Sequence, residues 1–123
     1  MNLNDYLAFT RTTAIYPGAG EKGFNEVLYL TLGLVSESGE VAGKLKKIIR
    51  GDPVPPEAFL SEVGDVLWYL VRICDNLGIT VEQLADHNVA KLTKRKETNT
   101  IQGDGDNRED DACKINASDS KCC

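Results

Sequence analysis

The chain has 123 residues, 41% hydrophobic and 27% charged, with a formal net charge of −5 and a pI near 4.8. That describes one small domain with a thin core, and the acidity excludes the basic face with which proteins grip a nucleic-acid polymer. No run approaches the ~18 apolar residues of a membrane span, and the opening MNLNDYLAF has neither a basic leader nor a long apolar stretch, so a cytoplasmic setting without a membrane partner is expected.

A first helix is predicted from about Leu3 to Ala14, stopped by Pro17 and the glycines behind it. Gly18-Ala-Gly20-Glu-Lys-Gly23 spells GxGxxG, but no strand precedes it, so it reads as a flexible loop rather than a dinucleotide fingerprint. The second helix runs from Phe24 to about Ile49 and closes at Gly51-Asp52-Pro53. Pro55 and Pro56 suit the entry of a third, Glu57 to Asn76, with Gly78 as its C′ residue. Thr80 and Gln83 have the spacing of a capping box, which opens a fourth helix to about Glu97. No stretch alternates as a strand would. The expected fold is all-α, a four-helix bundle whose short connections favour antiparallel neighbours.

Past Thr98 the composition turns to Gly, Asp, Ser, Asn and Lys, which predicts an extended or disordered tail. Residues 1–100 are therefore taken as the domain and 101–123 as an extension. Cys74 falls in an apolar helix as a small buried thiol, while Cys113, Cys122 and Cys123 lie in the tail without metal-ligand spacing, so no disulfide framework is expected.

Two helices each carry a pair of carboxylates three residues apart, Glu37 with Glu40 and Glu62 with Asp65. Residues at i and i+3 share a helix face. If the helices lie side by side, four carboxylates meet, and such a cluster repels itself unless divalent cations fill it. On the second helix Leu34, Val41, Leu45 and Ile48 line one face, and Glu37 lies only about 40° from its centre at 100° per residue. A glutamate among core-facing leucines is costly, and a purely structural design would place Leu or Ala there. On the third helix Glu62, Asp65, Tyr69 and Arg72 form a stripe opposite the apolar seam. That stripe reads equally well as a solvated face, although Val66, Trp68 and Ile73 flank it and make the helix apolar nearly all round. Such a helix exposes more apolar surface than a four-helix monomer can cover, which points to self-association.

Glu37-Ser-Gly-Glu40 followed, after residues 41–61, by Glu62-Val-Gly-Asp65 resembles the paired motif of MazG-like nucleotide pyrophosphohydrolases. HNVAKLTKRKE and then GDGDNR is similar to the C-terminal signature of a phage-type and bacterial subgroup. The resemblance covers residues 3–108 and implies hydrolysis of a (deoxy)nucleoside triphosphate to the monophosphate and pyrophosphate, water attacking the α-phosphorus. It further implies that Glu37, Glu40, Glu62 and Asp65 hold two or more Mg²⁺ ions, with Mn²⁺ as a substitute. Lys47, Asn88, Lys91, Arg95 and Arg108 would contact phosphates and Tyr69 would border the base; Lys44 is the lesser lysine candidate. Phage-type relatives favour deoxyguanosine nucleotides, which makes dGTP the first substrate expected, and family members assemble as dimers or tetramers. Two other readings compete: a non-catalytic all-α dimerisation or regulatory module, and a related pyrophosphohydrolase acting on dUTP or phosphoribosyl-ATP.

Overall fold

The computed structural model describes residues 1–106 and residue 108. Four helices occur in the order α1 (Leu3–Thr13), α2 (Phe24–Arg50), α3 (Pro56–Leu77) and α4 (Val81–Glu97), with no strand among the described residues. Each end lies within a residue of its sequence-based position, because local chemistry sets it. Asn2 caps α1: its side chain accepts from the Asp5 N–H at 2.8 Å while the Asp5 carboxylate accepts from the Asn2 N–H at 3.3 Å. Gly51 and Gly78 adopt left-handed backbone (φ 89° and 70°) after α2 and α3. That turn lets the N–H of Asp52 and of Ile79 fold back to the carbonyls of Lys47 and Cys74, 3.0 Å in each case.

The described residues divide into two compact units after Glu82. In the first, α2 and α1 both pack on α3. The pairs Lys44–Glu62, Gly33–Tyr69 and Glu26–Asn76 run in opposite directions along the two helices, so α2 and α3 are antiparallel neighbours. Leu7, Leu30, Val71, Cys74 and Val81 are buried. The α2 face expected to be core is covered only in part: Leu34 and Val41 are half-buried, and Leu45 and Ile48 are exposed. The reason is geometric, since within this unit α3 is the one helix that packs on α2. Leu32, Val35 and Leu60 are 63%, 66% and 65% exposed, an apolar surface that one chain leaves open.

In the second unit, the segment after α4 is tied back to the helix. Arg95 donates from Nη2 to the Gly105 carbonyl at 3.0 Å and to the Asp106 carboxylate at 2.9 Å, and Lys91 Nζ lies 3.6 Å from the same carboxylate. Arg108 donates to the carbonyls of Gly105 (2.9 Å) and Ile101 (2.5 Å). Asn107 of the GDGDNR element and residues 109–123, which include Cys113, Cys122, Cys123 and most of the tail expected to be disordered, lie outside the described residues. Among the described residues no helix is long and apolar enough to cross a membrane.

Candidate active site

Antiparallel packing of α2 on α3 brings three of the four acids together. Glu37 from α2 and Glu62 and Asp65 from α3 each offer a carboxylate oxygen, and these oxygens lie within 4.8 Å of one another. Burial, followed by the charges of Asp65, Glu62 and Glu40, pushes the Glu37 carboxyl above the ordinary carboxylate range. Glu40 is exposed and stands outside the trio, although its charge reaches Glu37. The donor set is all-oxygen and anionic, as hard divalent cations require, so the residues present fit a metal ion.

Lys44 meets Glu62 at 3.1 Å, with both side chains mostly buried, and offsets part of the cluster's charge. Lys47, the lysine favoured from sequence, is exposed. Helical angles distinguish the two: at 100° per residue Lys44 lies about 20° from Glu37 and Lys47 about 80°. Tyr69, one turn beyond Asp65, rests against Gly33 so closely that a Cβ there would come 2.1 Å from the ring. Only glycine leaves room for it. Burial first, then Tyr29 and Glu37, raise the Tyr69 hydroxyl pKa. Trp68 meets Tyr69 edge-on at 5.0 Å and Tyr16 at 6.2 Å, and Tyr16 stacks on Tyr29 at 4.7 Å. An aromatic group therefore adjoins the carboxylates.

A family model described as the MazG nucleotide pyrophosphohydrolase domain matches residues 25–100. The chain belongs to the MazG family. It is also 41% identical over 114 residues to the Gene 37 protein of Mycobacterium phage L5, a match covering 88% of this chain and all of that protein. No solved structure matches. The MazG match spans Glu37, Glu40, Glu62, Asp65, Tyr69, Asn88, Lys91 and Arg95, and leaves α1 and Arg108 outside it. Of the other residues expected to meet phosphates, Lys91 and Arg95 face Asp106, Arg108 is bound to its own loop, and the neutral Asn88 is exposed.

The chain also holds a buried charge network, partly outside the matched MazG domain, that was not identified from the sequence. Glu26, 2% exposed, accepts from the Tyr16 hydroxyl (2.6 Å), the N–H of Gly20 (2.9 Å), the N–H of Lys22 (2.8 Å) and Asn76 Nδ2 (3.0 Å). Burial opposes its ionisation, but these donors prevail and hold the carboxyl at about 2. Arg72, also 2% exposed, donates to Asp75 at 2.7 Å and lies 3.9 Å from Glu26. Arg11 of α1 forks onto Asp75 through Nε and Nη2. The GxGxxG segment, expected to be a flexible loop, is thus pinned at Gly20 and Lys22 by Glu26. A signal existed in the sequence: Arg72 and Asp75 sit one turn apart in the C-terminal half of α3, among Leu70, Val71, Ile73 and Cys74, where unpaired charges are avoided.

Proposed function

We propose that this MazG protein hydrolyses (deoxy)nucleoside triphosphates to the monophosphate and pyrophosphate, dGTP first among them, at the Glu37–Glu62–Asp65 cluster. The observation that carries the reading is the convergence of three carboxylates within 4.8 Å, with the Glu37 pKa raised by burial and then by the neighbouring charges. Two or more Mg²⁺ ions, or Mn²⁺ in their place, are assigned to Glu37, Glu62 and Asp65, with Glu40 at the margin. Bound there, such ions supply charge stabilisation on phosphoryl oxygens and acidify a bound water. The carboxylates hold and orient, and one of them accepts the proton of the water that attacks the α-phosphorus. Lys44 limits the cluster's negative field so that a polyanion can approach. Lys47, Asn88, Lys91, Arg95 and Arg108 take the phosphate-binding role that family likeness implies. Tyr69 borders the base.

The test is a screen of the four dNTPs and four NTPs with Mg²⁺ and with EDTA, in water enriched in ¹⁸O. Metal-dependent release of pyrophosphate with the label in the monophosphate is expected. Label in pyrophosphate, release of orthophosphate, or turnover in EDTA would refute the assignment.

A homodimer or homotetramer is part of the same proposal, supported by the exposed Leu32, Val35 and Leu60 on the two helices that carry the acids. Gel filtration with light scattering should give at least twice the 13.5 kDa chain mass. A monomer at micromolar concentration contradicts it.

A further inference from the structure

A cavity of about 400 Å³ lies beside the aromatic group, lined by Arg11 and Ala14 of the α1 end, Gly20 and Lys22 of the glycine loop, and Arg72 and Asp75 of α3. Three observations set it apart. Arg72 is buried, yet its Nε has no hydrogen-bond partner, the kind of orphaned donor that calls for an explanation. Lys22 holds left-handed backbone (φ 51°), which a lysine rarely adopts, because its N–H is drawn to Glu26. Arg11 forks onto Asp75 through Nε and Nη2, so its Nη1 end remains without a partner among the described residues.

The wall chemistry selects the ligand. Asp75 faces the same space as the two arginines, with Glu26 beside Arg72, so a phosphate would meet carboxylate as well as guanidinium. A neutral, flat group with adjacent acceptors suits it better. The position agrees: Asp65, Tyr69 and Arg72 share one stripe of α3, and Arg72 lies seven residues beyond Asp65, about 10 Å at 1.5 Å per residue. That is of the order of the reach from an α-phosphate to the far edge of a purine, with the aromatic side chains between.

We propose that this cavity receives the nucleobase of the substrate and that Arg11, steadied by Asp75, reads the adjacent O6 and N7 acceptors of guanine. This rests on the nucleotide reading above and names the residue that selects the base. A guanidinium edge pairs with both guanine acceptors at once, whereas adenine places an amino donor beside N7. Cytosine offers an amino group and thymine a single carbonyl on the corresponding edge.

The experiment compares kcat/KM for dGTP and dATP in the wild type, R11K and R11A, alongside calorimetric titration of dGMP and dAMP. The wild type is expected to prefer dGTP. R11K keeps a cation opposite Asp75 but loses the planar fork, so its dGTP/dATP ratio should fall about tenfold to a hundredfold, the discrimination carried by one bidentate pair. R11A should fall at least as far, with dGMP binding weakened in parallel. A wild-type protein without guanine preference, or a folded R11K with the wild-type ratio, overturns the proposal while pyrophosphohydrolysis stands. If no triphosphate is turned over, the nucleotide reading fails. Wild-type dGMP binding tighter than dAMP, lost in R11K, would still uphold the cavity, and its absence would end both.

Discussion

Glu37→Gln is expected to lower kcat for triphosphate hydrolysis by on the order of a thousandfold, as removal of a group acting directly on transition-state charge does. Asp65→Asn should do the same. The distinguishing part is stability. With its pKa raised in the folded state, the ionised Glu37 opposes folding at neutral pH when no cation is present, and the penalty is relieved as pH falls through the raised value. Glu37→Gln should therefore melt at or above the wild-type temperature in EDTA, and the wild type alone should gain from added Mg²⁺. Full activity in either variant, or a clear loss of metal-free stability in Glu37→Gln, would contradict the assigned role.

Glu26→Gln has the opposite profile. The side chain accepts four hydrogen bonds and lies 3.9 Å from buried Arg72. Gln removes the charge and turns a donor toward other donors, so a loss of about 3 kcal/mol is expected, typical of breaking a buried pair. The same number follows from linkage: a carboxyl lowered from 4.5 to about 2 contributes on the order of 3 kcal/mol. That contribution is fully present above the unfolded value and is lost as pH falls from 4.5 toward 2. Urea denaturation at pH 7 and pH 3 measures both. The variant should be much less stable at pH 7, and the gap should narrow in acid. An unchanged gap would show that Glu26 acts through packing rather than charge.

Much of this fold is local and therefore readable from sequence. Pro56, Gly51 and Gly78 act within one turn of themselves, and the helix ends followed them. The acid pairs were visible because i and i+3 share a face whatever the tertiary context. Direction around the helix was harder. Glu37 and Glu40 sit 60° apart at 100° per residue, and only the position of α3 decides that the first joins the cluster while the second stays exposed. Lys44 was within reach of the same angular argument that placed Glu37.

The buried network lay beyond local reasoning. Glu26 and Asn76 are fifty residues apart, as Arg11 and Asp75 are sixty-four, and no period in the sequence pairs them. The long apolar face of α2 misled for a different reason. Hydrophobic pattern reports that a face wants cover, not whether the cover comes from the same chain. The exposed Leu45 and Ile48 follow from that difference.

The most direct measurement is anomalous scattering from Mn²⁺ in crystals grown with a non-hydrolysable deoxyguanosine triphosphate analogue. Manganese peaks are expected within coordination distance of Glu37, Glu62 and Asp65, with phosphate oxygens beside them. Phosphates bound elsewhere, with those three carboxylates free of metal, would contradict the assigned site.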